Sequence, residues 1–425
     1  MKTRLFKSLT ALAVLTLLAT QCAAPQAAKP PATPAPTVAA NVFKLGVQAP
    51  LTGPSASAGE QLQAAAKMAF ERIDYKIGDY KIELVWIDCQ SNPEKAIRAY
   101  EQAVTQDDIQ AGILNWNSSV AVALMEVTAK YKVPHFFGMG ATEVINEKFQ
   151  SNPSRYGYWN FKFWPTPANY VTAVEDAIAA GSWRPAKKRA AIWGEDTDWG
   201  RGFGNGLKGQ LQKAGWTIVE EQYFALDQTD FRPLLTKLKG QEIDLIGGTS
   251  TAPDSIAAFI KQADEVGLKS LIIADGLGWI GDWYKLTGNS SNYVMDQIPG
   301  WTTDKAKAFA EAYKAKWGKT PSPSSAGLAY DAANFFIKIA QATYAEYGKL
   351  NRDTLFKFGQ EKVQTGKFTY TEGIVMTEYK YTSETAPDPV VGKGYYTFPV
   401  LQYMNGEGKV IWPLEWKTAD LNAKP

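Results

Sequence analysis

Few residues in this 425-residue chain are of the types that carry out covalent chemistry. Its one histidine, His135, lies in the apolar run Val133-Pro134-His135-Phe136-Phe137, where a hydrogen-bonded strand-end histidine is the plainer reading. A Ser-His-Asp hydrolase would have to use it, yet no Gly-x-Ser-x-Gly elbow occurs. Cys22 belongs to the N-terminal region, and Cys89 with His135 cannot assemble a zinc site of ordinary type, so no metal is expected. Gly200-Arg201-Gly202-Phe203-Gly204-Asn205-Gly206 is glycine-rich, but Leu207 stands where the dinucleotide fingerprint needs its third glycine, and there is no Walker motif. No cofactor is expected either. Asp196 and Asp198 could suggest hydrolysis or calcium, with a solvated loop as the plainer reading.

What remains is the chemistry of binding. Ser118-Ser119, Ala141-Thr142 and Thr249-Ser250-Thr251 follow apolar runs and precede helix-like segments. Helix N-termini there would present unpaired N–H donors and a partial positive charge to an anion. Simple N-capping is the competing reading of each hydroxyl. Asp275 ends the apolar run Leu271-Ile272-Ile273-Ala274 and is either a helix cap or the charge partner of a cation.

The elements that must position these residues alternate regularly. Val42–Val47 reads as a strand. The loop Pro50–Glu60 is rich in small residues and hydroxyls, and the helix after it keeps Leu62, Ala66, Ala69, Phe70 and Ile73 on one face. Lys81–Ile87, Ala111–Leu114 and Val133–Phe137 read as strands, separated by helices at Pro93–Gln106 and Val120–Tyr131. A second series follows Trp164-Pro165-Thr166-Pro167, with strands at Lys188–Trp193, Thr217–Tyr223, Asp244–Gly247 and Ser270–Ala274. The rhythm predicts an α/β protein with parallel sheets covered by helices on both faces. Tyr395–Met404 and Val410-Ile411-Trp412 read as antiparallel strands around Asn405-Gly406-Glu407-Gly408.

Composition bounds the class. The length is too great for one core, so two lobes are expected. Apolar residues make up 45% and charged residues 21%, a balance that lets most of the chain fold. Forty-five Lys and Arg against 43 Asp and Glu leave a charge of +2, no footprint for nucleic acid or an anionic membrane face. Residues 1–22 carry Lys2, Arg4 and Lys7 before an apolar core from Leu9 to Ala19, the layout of an export signal. Cys22 is expected to carry a lipid anchor, although Ala19 and Gln21 replace the Leu and the Gly or Ala usual before such a cysteine; cleavage near Ala24 is the alternative. Residues 23–41 are mostly Ala, Pro, Gln and Thr and form a tether that could reach several tens of ångströms at ~3 Å per residue.

Several stretches together carry a resemblance. Leu51-Thr52-Gly53-Pro54 closing on Ala58-Gly59, Ile87-Asp88 with Asn92-Pro93-Glu94-Lys95-Ala96, Asn117-Ser118-Ser119, Gly140-Ala141-Thr142 and Asp198-Trp199-Gly200-Arg201-Gly202 stand in that order. The ending is Gln402-Tyr403, Gly406 and Lys409-Val410-Ile411-Trp412-Pro413. From residue 42 onward the chain resembles the type I periplasmic binding proteins of the leucine/isoleucine/valine-binding kind. The resemblance implies two doubly wound Rossmann-like lobes joined by three crossovers, lobe one from 42–163 plus 297–385 and lobe two from 164–296 plus 386–425. A ligand would lie at the carboxyl ends of the strands.

The resemblance also implies roles. Ser118, Ser119, Ala141 and Thr142 would grip a carboxylate, Trp199 would supply an aromatic face, and Asp275 would meet an ammonium. Thr249 is a polar wall residue, with Ala58, Trp116, Trp164, Ser250 and Thr251 as further lining. The chain departs from the amino-acid-binding pattern in its 14 tryptophans; those at Trp116, Trp164, Trp199, Trp279, Trp283 and Trp301 suggest more stacking surface than a small aliphatic side chain needs. The expectation is an exported, non-enzymatic binding subunit of an ABC importer, at the periplasm or cell surface, that passes its solute to a membrane permease and its ATPase. Its solute would be a branched-chain, other apolar or aromatic amino acid, with an amide, a urea-like solute or an aromatic carboxylate as alternative. An anchored hydrolase and a sensing receptor domain are the rival classes.

Overall fold

Two parallel-stranded sheets dominate the structure, a computed structural model that describes residues 41–159 and 161–425. The segments read as an export signal and a tether, up to residue 40, and with them Cys22, lie outside the described residues. Strand β1 (Asn41–Ala49) begins one residue inside the expected tether.

The first sheet has the order β2-β3-β1-β4-β5, from β2 (Lys76–Ile77), β3 (Tyr80–Asp88), β4 (Ala111–Ile113) and β5 (His135–Phe136). All pairs are parallel except the β2–β3 hairpin. Leu45 and Val47 on β1 and Ile113 on β4 are fully buried beneath Leu62, Ala66 and Phe70 of the helix Ala56–Glu71. That helix starts tight against the strand because Gly59 has no side chain; a Cβ there would sit 2.0 Å from the Pro50 carbonyl oxygen.

The second sheet has the order β12-β11-β10-β9-β8-β6-β7, from β6 (Arg189–Glu195), β7 (Thr217–Phe224), β8 (Leu245–Thr249), β9 (Leu271–Asp275), β10 (Met295–Gln297), β11 (Val400–Met404) and β12 (Glu407–Trp412). Strands β6 to β10 run parallel, and β11 and then β12, at the edge, add antiparallel to them. Every residue of β8 and β9 is buried, as expected for central strands covered on both faces. Expected strands shorten at their ends: Val133–Phe137 becomes the two-residue β5, and Tyr395–Met404 keeps only its last five residues. A long helix runs over Leu328–Tyr347, preceded by a π-turn over Pro323–Gly327.

No helix among the described residues is long and apolar enough to cross a membrane. Cys89 is buried with apolar neighbours, and burial pushes its thiol up to about 12.

Candidate functional site

The loops at the carboxyl ends of the two sheets meet around a small cavity of about 20 Å³ lined by Trp116, Ser118, Met139, Trp164, Trp199, Thr251 and Trp279. That is room for about one water molecule, so a solute would enter only when the walls separate. None of the seven lining side chains is ionisable.

Tryptophan 279 is the hub. Trp116 and Trp164 meet it edge to face, at centroid distances of 5.3 and 6.0 Å, and Trp199 lies 5.7 Å away at 55°. Its position follows from the turn after β9. Gly276 has φ +108°, and a Cβ there would lie 2.8 Å from both the Ser250 carbonyl oxygen and the Trp279 ring. The turn is then fixed from the first sheet's side of the cavity. Gln61 Nε2 donates to the Trp279 carbonyl at 3.2 Å, Ser325 Oγ donates to the same oxygen at 3.0 Å, and Ser322 Oγ donates to the Gly278 carbonyl at 2.6 Å.

The serines at the start of the helix Ser118–Tyr131 do not cap it. Asn117 is the N-cap residue and its side chain makes no capping bond. Ser118 Oγ accepts the Ala141 N–H at 3.0 Å, which leaves the hydroxyl proton free to donate at the cavity wall. Ser119 Oγ accepts the Asp198 N–H at 3.1 Å, joining the two helix starts that flank the cavity. Asn117 Nδ2 donates to Ser55 Oγ, which in turn lies 3.5 Å from Thr251 Oγ1. Thr142, by contrast, caps its own helix through the Val144 N–H.

Behind the wall lie three buried carboxyls. Glu195 accepts from Thr251 N–H, Thr251 Oγ1 and Thr197 Oγ1, and burial raises its pKa. Asp296 accepts from the N–H groups of Gly276, Gly278 and Gln297 and from the Tyr403 hydroxyl, and burial lifts it to about 6. Asp275 is fully buried; its only side-chain partner is Thr249 Oγ1 at 3.3 Å, and its Oδ1 has none. Burial and then the charge of Asp296 raise its pKa well above the carboxylate range. Thr249 Oγ1 also accepts the Trp199 indole N–H at 2.9 Å, so Asp275 sits behind Trp199.

Of the residues expected at a site, Trp116, Ser118, Trp164, Trp199 and Thr251 border the cavity. Ser119, Thr249 and Asp275 stand one layer back, through the contacts above. Ala141 contributes its N–H to Ser118, Ala58 is in the core, and Ser250 Oγ accepts the Ala252 N–H before the helix Pro253–Glu265. Trp279 and Met139 are lining residues that the residue-by-residue reading did not place in the site; the tryptophan excess was the signal for the first, and nothing in the sequence marked the second. Trp283 and Trp301 do not border the cavity: Trp283 packs on Tyr403 and Trp301 on Phe309. A wider groove, sharing none of the cavity's lining residues, is lined by Trp301, Tyr395 and Trp416 among others.

The sole histidine is fully buried. His135 stacks on Trp159 at 4.3 Å, bonds the Leu114 carbonyl through Nε2 and contacts the Tyr100 hydroxyl through Nδ1 at 3.0 Å. Burial lowers its pKa to about 3, so it is neutral and structural. Among the described residues no group of three or more His, Cys, Asp or Glu is placed to hold a metal ion.

Comparison with known proteins covers most of the chain. The family described as periplasmic binding proteins matches residues 42–371. A Leu/Ile/Val-binding protein homolog from Brucella abortus is 26% identical over 373 residues, 79% of this chain and 91% of that protein. The fold is similar to that of an ABC-transporter solute-binding protein from Rhodopseudomonas palustris solved with 3,4-dihydroxybenzoic acid (TM-score 0.70, 21% identity, 86% of this chain and 95% of that one). It is similar also to a branched-chain amino acid substrate-binding protein from Streptococcus pneumoniae solved with isoleucine (TM-score 0.69, 20% identity, 87% and 98%).

Proposed function

The chain belongs to the periplasmic binding protein family, and from that premise we propose that it is the extracytoplasmic solute-binding subunit of an ABC importer. It captures one small solute between two lobes, 42–163 plus 297–385 and 164–296 plus 386–425, and hands it to a permease and its ATPase without altering it. The observation that carries this reading is the cavity where the strand ends of both sheets converge, walled by residues from each. The names of the relatives support an amino acid or an aromatic acid as the solute class. Export through residues 1–22 and a lipid on Cys22 complete the proposal.

Closure is the mechanism. The hydrogen bonds from Gln61, Ser322 and Ser325 to the Gly278–Trp279 turn, and from Asp198 to Ser119, join residues of the two proposed lobes, so separating the lobes would break them. A ligand adds contacts to both walls and shifts the equilibrium toward that state. Small-angle scattering with and without a solute that raises the melting temperature tests this. The radius of gyration should fall on binding, and the solute should be recovered unchanged. An unchanged profile at saturation removes the closure mechanism, and a chemically altered solute makes the protein an enzyme.

A further inference from the structure

Trp116 and Trp279 each border the cavity, are each only 6% exposed, and have indole N–H groups with no acceptor. A buried donor without a partner costs about 1–3 kcal/mol, and native proteins rarely leave such a group without a reason. Other buried indoles also lack an acceptor, but Trp159 and Trp193 are packed face to face on His135 and Phe259, deep in the core. At Trp116 and Trp279 such an indole instead lines the cavity between the two sheets. Ser118 adds a third donor, since its oxygen already accepts the Ala141 N–H. The lining is therefore rich in donors.

It is correspondingly poor in acceptors. The oxygen acceptors among its side chains are the hydroxyls of Ser118, which accepts the Ala141 N–H, and Thr251, which donates to Glu195 and faces the Ser55 hydroxyl at 3.5 Å. A primary ammonium brings three N–H donors and a full charge, which is costly to desolvate without a carboxylate beside it. No carboxylate borders the cavity. Asp275 stands behind Thr249 and Trp199, and Glu195 has both oxygens taken. The remaining surface is four tryptophan rings and a methionine, which suit a flat apolar body.

Resting on the solute-binding reading above, we propose that the solute is an aromatic monocarboxylate without an amino group, its carboxylate held by the indole N–H groups of Trp116 and Trp279 and the hydroxyl of Ser118. Selectivity against amino acids then comes from the absence of an acceptor for the ammonium, a form of rejection that reaches several orders of magnitude where a polar group is left unpaired.

Matched solutes that differ at the amino group test the proposal by titration calorimetry: 3-phenylpropionate against phenylalanine, 4-methylpentanoate against leucine, with 4-hydroxybenzoate and glycine betaine alongside. The expected result is that 3-phenylpropionate or 4-hydroxybenzoate binds at least roughly tenfold tighter than phenylalanine, leucine or betaine. Tighter binding of phenylalanine, leucine or betaine overturns the proposal and leaves the solute-binding reading standing. Saturable binding by none of them also overturns it, while closure with some other solute would still uphold that reading. Trp116→Phe and Trp279→Phe keep the ring and remove the donor. Each should weaken the aromatic acid by roughly five- to a hundred-fold with the ligand-free melting temperature little changed. Unaltered affinity in both variants overturns the assigned carboxylate contacts.

Discussion

Removing one partner of the buried ion pair between Lys162 and Asp388 should destabilise the protein by about 3–5 kcal/mol. Lys162 is fully buried in the segment that follows the first sheet, with Nζ 2.7 Å from Asp388 Oδ1. It also donates to Asn146 Oδ1 at 2.7 Å and to the Ala141 carbonyl at 3.1 Å. The second oxygen of Asp388 accepts from Thr166 N–H, Thr166 Oγ1 and Asn169 Nδ2. Burial lowers the pKa of Lys162 and the carboxylate of Asp388 opposes that shift, so the ammonium depends on its partner to stay charged. In Asp388→Asn a buried ammonium loses its counter-charge, and in Lys162→Met a buried carboxylate does. The double variant Lys162→Met/Asp388→Asn leaves neither charge stranded and should cost at least about 2 kcal/mol less than the sum of the singles. Denaturant unfolding followed by circular dichroism, with slopes compared across the four proteins, measures this cycle. Lys162→Met should also weaken solute binding, because Lys162 holds the carbonyl of Ala141, the residue whose N–H positions Ser118. Single variants that each cost under about 1 kcal/mol, or costs that simply add, would refute the assigned role of the pair.

Two other consequences can be measured directly. His135 is held neutral with its pKa lowered to about 3, whereas an unfolded histidine titrates near about 6.5, so its stabilisation is present above that value and lost as pH falls between the two; between pH 7 and 5 wild type should lose about 2 kcal/mol more stability than His135→Gln, and parallel pH profiles would contradict the burial account. Cys22→Ser should move the protein from the membrane fraction to the soluble fraction with solute affinity intact; a wild-type protein already soluble would remove the lipid anchor.

The strand–loop–helix rhythm made the α/β class and the antiparallel tail legible, because parallel strands such as Leu245–Thr249 and Leu271–Asp275 read as apolar runs between turn residues. The tryptophan excess likewise announced an aromatic-lined site. Long-range contacts were not legible. Gln61 fixes Trp279 across 218 residues and Ser119 meets Asp198 across 79, and neither pair leaves a local pattern. The choice between capping and lining at Ser118, Ser119 and Thr142 turns on which N–H each hydroxyl faces, which depends on how neighbouring loops pack. Asp275 shows the same limit. A strand-end acid looks available for a cation until β10 brings Asp296 beside it and Trp199 covers it from the cavity.

The central claim is that a solute is held among the tryptophans where the two sheets converge. A crystal structure of the protein with a solute that binds it stoichiometrically tests this most directly. The account predicts electron density for that solute in contact with Trp116, Ser118, Trp164, Trp199 and Trp279, with an acceptor atom within hydrogen-bond distance of the Trp116 and Trp279 indole nitrogens. Density instead in the wider groove at Trp301 and Trp416, with the tryptophan-lined cavity empty, would contradict it.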